Sequence, residues 1–366
     1  MADAYGLARV DGVLADGRAI HYYDPAAAPP RTPSPDGRPL LPPAEGDRPP
    51  QIRVDPWTGE SVLLAGARQD RTFLPADDAC PLCPSAPGRP TEIPDPAYDV
   101  VVFDNRFPSM APPHGRCEVV VYTSDHAATW ADLPAERARA LLRVLADRTA
   151  ALNAEPGVHQ VFAFENRGIE IGVTLTHAHG QIYAYPFAPP ILAAYAQRST
   201  AHLAEVGRCL GCDQLAAERA TGTRVVVDAP GATADVPQAA RWPYEVHVVP
   251  HRCAPDLPAL LEDPAAADVV AAVWQEAVRR LDALHGGPMP LTACWVQAPS
   301  TQAPGGMGER PGAHTHLRLQ PARRAPGKLK YLAASETGAG VFALDVDPDD
   351  AARALREAGD GHAARG

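Results

Sequence analysis

The 366-residue chain has no apolar run of the roughly 20 residues that a membrane-spanning helix needs, and this excludes that class of membrane protein. It also lacks any long run of Lys or Arg. With 33 basic against 44 acidic side chains, the formal charge is −11, and the clustered basic surface required for non-specific nucleic-acid binding has no source. A nucleotide ligand is not excluded, because a pocket can be locally basic on an acidic protein. The opening residues MADAYGLARVDG lack the basic segment and apolar block of an export signal, so a cytoplasmic location is expected. Disulfides are accordingly not expected from the seven cysteines. Two pairs have C-x-x-C spacing, Cys80 with Cys83 and Cys209 with Cys212, and such pairs read as metal ligands.

What is present suffices for a substantial core: 46% of the residues are hydrophobic, over a length that suits one large domain or two ordinary ones. Residues 25–50 are too rich in proline for helix or central strand and read as an extended or partly disordered arm, a tether or a wrap around a neighbouring subunit. The globular pattern begins near Gln51. Strands are expected at 60–65, 98–105, 117–123 and 159–166, which are rich in Val, Phe and Tyr and bounded by turn residues. A helix is expected from Pro134 to Asn153, with Leu141, Leu142, Leu145 and Leu152 at helical spacings. The plan then repeats, with strands at 223–230, 244–250 and 289–296 and a long helix at 264–285. A short terminal helix at 348–358 follows, with Asp347 as its cap. An H-x-H stretch closes each copy, His177 with His179 and His314 with His316, and internal duplication follows. The expected division is an N-terminal segment 1–50, a first half 51–210 and a second half 211–366.

The stretch THAHGQIYAYPF (176–187) places His177, His179 and Gln181 at every second position of a strand-like run, where alternate side chains share a face. His179 is the candidate nucleophile. A neutral imidazole attacks phosphorus near pH 7 and leaves again, splitting one displacement into two easier ones, provided its other nitrogen is held by an acceptor. Gln181 can donate its amide to a phosphoryl or bridging oxygen. Upstream, Asn166 offers an amide, Thr174 a hydroxyl, and Gly168 and Gly172 close backbone approach. Cys80 and Cys83 have the spacing of two thiolates on one zinc, and His126 and His177 are the candidates for the remaining places of a closed Cys2His2 site. Such a site would stiffen the strand carrying His179. The blander readings are an exposed polar strand, two small buried cysteines and a histidine in a surface turn.

The stretch FENRGIEIGVTLTHAHGQIYAYPF resembles the active-site signature of galactose-1-phosphate uridylyltransferases of the histidine-triad superfamily. The segments CPLCPSAPGRPTEIP, VVFDNRFPSM, CEVVVYTSDHAATWADL, RWPYEVHVVP and RRAPGKLKYLAASETG are similar to family segments in family order, over roughly residues 51–358. The resemblance implies an α+β fold of two histidine-triad-like halves, mainly antiparallel sheets with packed helices, and a homodimer with active sites near the subunit interface. It implies a ping-pong exchange in which UDP-glucose leaves a uridylyl group on His179 and galactose 1-phosphate collects it, with Gln181 binding phosphate. It places structural zinc on Cys80, Cys83, His126 and His177. It also places Arg68 and Arg71 near the phosphates, Asn105 and Phe107 in the nucleoside segment, and Asn166, Gly172 and Thr174 in the phosphoryl loop. Lys330 and Glu336 fall in the stretch that contacts the sugar phosphate. On residue type alone, the arginines could be solvated, Phe107 could be core, and Lys330 and Glu336 could lie in a solvated loop.

The chain departs from the family pattern at several points. Ala178 stands where the signature has proline, Tyr195 lies close to where a metal-binding glutamate would fall, and Val296 replaces a histidine. His314 and His316 alone make a poor divalent site, so no second metal is expected. No partner ligands for Cys209 and Cys212 are evident nearby, and both are expected to be reduced thiols. After Glu336, the residues Thr337 to Gly340 lack a glutamine used for sugar contact, and Ser300 to Gly312 form a loose glycine-rich stretch beside the presumed sugar pocket. The nucleotidyl half of the site is therefore expected intact and the acceptor half altered. Hydrolysis or phosphorolysis of a nucleotide, another sugar phosphate as acceptor, and a zinc-stabilised nucleotide-binding scaffold remain as alternatives.

Overall fold

The computed structural model of the chain describes residues 5–40, 48–301 and 312–363. Most of the glycine-rich stretch noted above lies outside the described residues. The fold is α+β, its paired strands run antiparallel, and the chain forms two compact units. Unit 1 comprises Met1–Ala163, Thr174–Ala196 and Pro299–Arg310; unit 2 comprises Phe164–Val173, Gln197–Ala298 and Pro311–Gly366. The units interleave along the sequence, so no single boundary near residue 210 separates them.

In unit 1, β1 (Leu7–Val13) and β2 (Ala19–Pro25) form a hairpin, and β3 (Gln51–Val54) with β4 (Ser61–Leu64) a second, separate one. Then come β5 (Val100–Asp104), β6 (Arg116–Val121), α1 (Ala135–Asn153), β7 (Gln160–Arg167), whose residues from Phe164 on belong to unit 2, and β8 (His179–Tyr185). The sheet order is β1-β2-β5-β6-β8, followed by β7. The expected strands and the helix from Pro134 are present, Pro134 serving as the helix cap. β1 and β2 were not expected. In β2 the adjacent Tyr22, Tyr23 and Asp24 are all buried, so no clean period-two alternation marks the strand, and the proline-rich segment behind it masks the signal. Beyond Pro25 that segment forms neither helix nor strand where described, and it is fastened to its own unit. Arg31 donates twice to Asp24 at 2.7 and 2.6 Å, and Arg38 pairs with Glu92 at 2.5 Å.

One sheet face packs on α1. Its Leu141, Leu142, Leu145 and Leu152 are buried, each contributing roughly 1.5–3 kcal/mol of apolar transfer free energy. The opposite face, carrying Val101, Phe103, Val119 and Val121, packs against the loop that contains Cys80, Leu82, Cys83 and Ile93. Val121 lies opposite His179 and Val119 opposite Gln181 in the β6–β8 register. Cross-strand partners share a face, so both polar side chains emerge on the cysteine-loop side.

The chain continues through α2 (Pro190–Val206), α3 (Leu210–Thr221), β9 (Val225–Ala229), β10 (Ala232–Asp235), β11 (Val246–Pro250), α4 (Leu257–Leu260), α5 (Pro264–Leu284), β12 (Leu291–Val296) and β13 (His316–Pro321). The hairpin β14 (Arg323–Ala325) and β15 (Lys328–Leu329), α6 (Ala334–Ala339) and α7 (Pro348–Ala363) complete it. In unit 2, β12-β13-β11-β10-β9 run in that order. α5 begins where the Asp263 side chain accepts the Ala265 N–H at 3.0 Å, with Pro264 in the first turn. Its Trp274 meets Trp295 of β12 edge to face, ring centroids 6.0 Å apart. At α7, Asp347 accepts the Asp349 N–H at 2.8 Å, as its expected cap role requires. The path strand, strand, helix, strand, strand therefore occurs twice, as β5-β6-α1-β7-β8 and β10-β11-α5-β12-β13. An H-x-H pair leads into the last strand of each copy.

Candidate active site and metal centres

β8 begins at His179, so His177 stands just ahead of the strand. The row of three therefore divides. His177 is 1% exposed, and its Nε2–H donates to the Thr123 carbonyl at 2.7 Å. A carbonyl can only accept, so the bond fixes the tautomer and leaves the Nδ1 lone pair facing Cys80 Sγ at 3.7 Å and Cys83 Sγ at 3.6 Å. Burial holds the His177 imidazole neutral, its pKa lowered to about 4. His126 Nδ1 lies 3.4 Å from Cys83 Sγ, while its Nε2 faces Asp77 Oδ1 at 3.1 Å. The four donor atoms lie within 4.8 Å of one another. A tetrahedral ion with bonds of about 2.0–2.3 Å separates neighbouring donors by roughly 3.3–3.8 Å, and the measured separations fit. The carbonyl and carboxylate behind the two rings are the outer partners that metal-bound imidazoles require. Cys80, Cys83, His126 and His177 therefore form a group able to hold a metal ion.

His179 is arranged differently. Its Nδ1–H donates to the His177 carbonyl at 2.7 Å, which leaves the lone pair on Nε2. Burial lowers its pKa, which favours the neutral ring. His179 and Gln181 line a cleft that opens to solvent. Arg71, Asn105, Phe107 and Thr174 line it too, so the structure brings these expected residues together. Asn105 Oδ1 accepts the Phe107 N–H at 2.8 Å, a local turn that sets both side chains at the rim. Arg71 Nε donates to the Arg68 carbonyl at 3.0 Å.

Other expected residues do not gather at this cleft. Arg68 does not line it; its guanidinium bonds the Ser109 and Tyr183 hydroxyls. Asn166, on β7 opposite Thr292, and Gly172, in a left-handed turn at φ 82°, belong to unit 2. Lys330 and Glu336 bind one another at 3.1 Å. Glu336 also accepts the Ala333 N–H at 3.1 Å and the Ala343 N–H at 3.2 Å. Those backbone donors, with Lys330, hold its carboxyl at about 2. In this chain the pair closes the turn that caps α6. Sequence reasoning missed Thr72, Glu92 and Arg106, which also line the cleft. Arg106 sits 5.5 Å over the Phe107 ring and 3.3 Å from Glu92. Its only sequence signal was adjacency to Asn105.

The expectation that Cys209 and Cys212 have no partners is corrected. Cys209, Cys212, Cys253 and His314 place one donor atom each within 4.8 Å of the others. His314 faces the thiols and does not pair with His316 as a ligand; its Nδ1 lies 3.6 Å from Cys209 Sγ and 3.5 Å from Cys212 Sγ. The missing signal was the order of donors along the chain. Both halves run C-x-x-C, then a donor in the loop after the second strand, then the first histidine of H-x-H.

The domain model described as galactose-1-phosphate uridyl transferase, N-terminal domain, matches residues 109–189, a span that contains His126, His177, His179 and Gln181. Over 354 residues the chain is 44% identical to the galactose-1-phosphate uridylyltransferase of Streptomyces lividans, covering 95% of this chain and 97% of that protein. It belongs to the galactose-1-phosphate uridylyltransferase family. The Thermotoga maritima uridylyltransferase of the same name is 34% identical over 325 residues, covering 84% of this chain and 98% of its own. A solved structure of a uridylyltransferase superposes with a TM-score of 0.73 at 32% identity, covering 85% of this chain and 98% of that one. Among the described residues no helix is long and apolar enough to cross a membrane.

Proposed function

We propose that the chain transfers the uridylyl group of UDP-glucose to galactose 1-phosphate through a covalent intermediate on His179 Nε2. The observation that carries this reading is the bond from His179 Nδ1–H to the His177 carbonyl at 2.7 Å, which aims a neutral, lone-pair-bearing Nε2 at a cleft also lined by Gln181. In the first step Nε2 attacks the α-phosphorus. The bond from phosphorus to the bridging oxygen breaks, and glucose 1-phosphate departs with that electron pair. The imidazolium charge that develops is shared with the His177 carbonyl through the Nδ1 proton. In the second step a phosphate oxygen of galactose 1-phosphate attacks the same phosphorus, and the N–P electrons return to Nε2.

The Gln181 amide is placed to bond the oxygen that gains charge, and Arg71 and Arg106 supply positive charge along the cleft. Asn105 and Phe107 offer a polar edge and an aromatic face for the nucleoside. Zinc on Cys80, Cys83, His126 and His177 would be structural. Its donor set is closed, and it would fix the residue whose carbonyl orients His179.

The partners follow from the same reading: a UDP-sugar, a sugar 1-phosphate and a second copy of the chain, in the cytoplasm. Around the Lys330–Glu336 turn, Tyr331, Leu332 and Val341 are 78%, 45% and 62% exposed. An apolar surface of this kind suits a homodimer in which the turn reaches a neighbouring cleft. The test is isotope exchange. Labelled glucose 1-phosphate should enter UDP-glucose with no galactose 1-phosphate present, and full turnover should give parallel double-reciprocal lines. Exchange that requires the second sugar phosphate, or loss of the uridylyl group to water at the rate of turnover, overturns the proposal.

A further inference from the structure

One edge of the cleft is held by the N-terminal segment, which the transfer steps do not involve. Glu92 lines the cleft with Asn105, Arg106 and Phe107, yet its side chain is only 10% exposed. Burying a carboxylate is costly unless it is paired, and three guanidinium groups meet it. Arg18, at the turn between β1 and β2, donates to Oε2 at 2.5 Å. Arg38, in the proline-rich arm, pairs with Oε1 at 2.5 Å. Arg106 donates to the same Oε1 at 3.3 Å. We propose that Arg18 and Arg38 are positioning residues for nucleotide binding: they clasp Glu92, and Glu92 holds Arg106 where it meets the bound nucleotide, a role that rests on the assignment of this cleft to a uridine nucleotide.

The geometry separates the holders from the held. Arg18 and Arg38 are 14% and 13% exposed, and each is fixed by a carboxylate of its own segment. Arg18 Nε donates to Asp16 Oδ2 at 2.8 Å. Arg38 Nε and Nη2 donate to the two Asp36 oxygens at 3.0 and 2.7 Å. Asp36 also accepts the Ala15 N–H at 2.9 Å, which ties the arm to the hairpin turn. Arg106 is different. It is 42% exposed, it lies over the Phe107 ring, and Glu92 is its one hydrogen-bond partner among the described residues. Most of its N–H donors therefore remain for a ligand. A long side chain already pinned at one donor loses less freedom when a ligand takes the others. The clasp also reaches the backbone that leads into the nucleoside segment. Arg18 Nη1 donates to the Asp104 carbonyl at 2.8 Å, and Asp104 Oδ2 accepts the Ala19 N–H at 3.1 Å. Asp104 directly precedes Asn105, and Phe103, which also lines the cleft, lies opposite Ile20 in the β2–β5 register.

The test is UMP binding to the full-length protein, which needs no turnover and is read separately from isotope exchange. Arg38→Met should weaken UMP binding roughly tenfold, the lower end of what a charge-assisted hydrogen bond is worth. Arg38→Lys, which keeps a cation for Glu92, should restore most of the affinity. In an Arg106→Ala background the Arg38→Met loss should nearly vanish, because the clasp acts through Arg106. Coupling is reciprocal, so UMP should slow amide hydrogen exchange in the unmutated protein at Ala15, Ala19 and Arg38, whose N–H groups bond Asp36 and Asp104. A clasp with a purely structural role would leave those amides indifferent to UMP. The proposal is overturned if their exchange is the same with and without saturating UMP, or if Arg38→Met costs the same factor whether or not Arg106 is present. Exchange is read on the unmutated protein, so a variant that fails to fold leaves the test intact. Slowed amides in a protein without isotope exchange would keep the clasp and remove the transfer reading; isotope exchange with indifferent amides would do the reverse.

Discussion

Replacing Glu118 with Gln severs the buried ion pair that joins β6 to α1. Arg148 Nε donates to Glu118 Oε2 at 3.0 Å and Nη2 to Oε1 at 2.5 Å, and the two side chains are 6% and 2% exposed. Unit charges at about 4 Å interact by about 4 kcal/mol at an effective dielectric of 20. In Glu118→Gln one of the two oxygens becomes an NH2, which faces a guanidinium N–H donor to donor, and the buried cation loses its hydrogen-bonded carboxylate. The expected loss is about 3–5 kcal/mol, seen as a lower urea midpoint with an unchanged slope. The double variant Glu118→Leu with Arg148→Met removes both charges and should recover to within about 2 kcal/mol of the parent, because well-packed apolar groups avoid the desolvation cost. β6 also pairs with the strand carrying His179, so the single variant should lose turnover along with stability. A Glu118→Gln protein within about 1 kcal/mol of the parent, or a double variant as unstable as the single one, would refute this account of how the sheet is held to α1.

Gly115 has φ 100°, and a Cβ there would lie 2.5 Å from the Ala184 carbonyl of β8; Gly115→Ala should cost roughly 2–4 kcal/mol in thermal or urea unfolding, and a neutral result would contradict the close approach. Gln181→Ala should lower kcat by about 10²–10³ with a smaller change in KM, the pattern for a donor that acts mainly on developing charge, whereas a pure KM effect would reassign it to ground-state binding. Asp235 is buried, and burial with the nearby Glu218 charge pushes its carboxyl up to about 7. Its folded pKa thus lies above the unfolded one near 4, so the favourable contribution is complete below about pH 4 and is lost as pH rises through 7. Asp235→Asn should therefore gain about 3–4 kcal/mol over the parent at pH 8 and almost nothing at pH 4; an equal gain at both would refute the linkage.

Much of the fold could be read from the sequence because its repeated half has strong local signals. Val-rich runs marked β5, β6, β9 and β11, and apolar periodicity behind a starting proline marked α1 and α5. β1 and β2 escaped because neither shows a clean alternation, β2 burying Tyr22, Tyr23 and Asp24 in a row, and because proline follows. At the site, Cys80, Cys83, His126 and His177 were legible because spacing and residue type restrict their chemistry, and the structure brings their donors together. Cys253 was not legible, since a lone cysteine after a strand acquires meaning only when the fold sets it beside Cys209, Cys212 and His314. Residue type alone could not show that Lys330 and Glu336 bind one another: a carboxylate three residues into a helix is satisfied by backbone N–H groups at the helix's own start, and the lysine by that carboxylate. The partners of Arg68 were hidden for a related reason. A guanidinium near a basic motif can as readily stitch buried hydroxyls together as meet a phosphate, and only the positions of Ser109 and Tyr183 decide between the two.

The central claim is that His179 Nε2 takes up a uridylyl group. Intact-mass measurement of the protein quenched in alkali seconds after mixing with UDP-glucose tests it most directly, with peptide mapping to locate the adduct. The account predicts a mass increase of one uridylyl group on His179, removed by adding galactose 1-phosphate and absent in His179→Ala. An unmodified chain that nonetheless turns over, or an adduct on any residue other than His179, would contradict it.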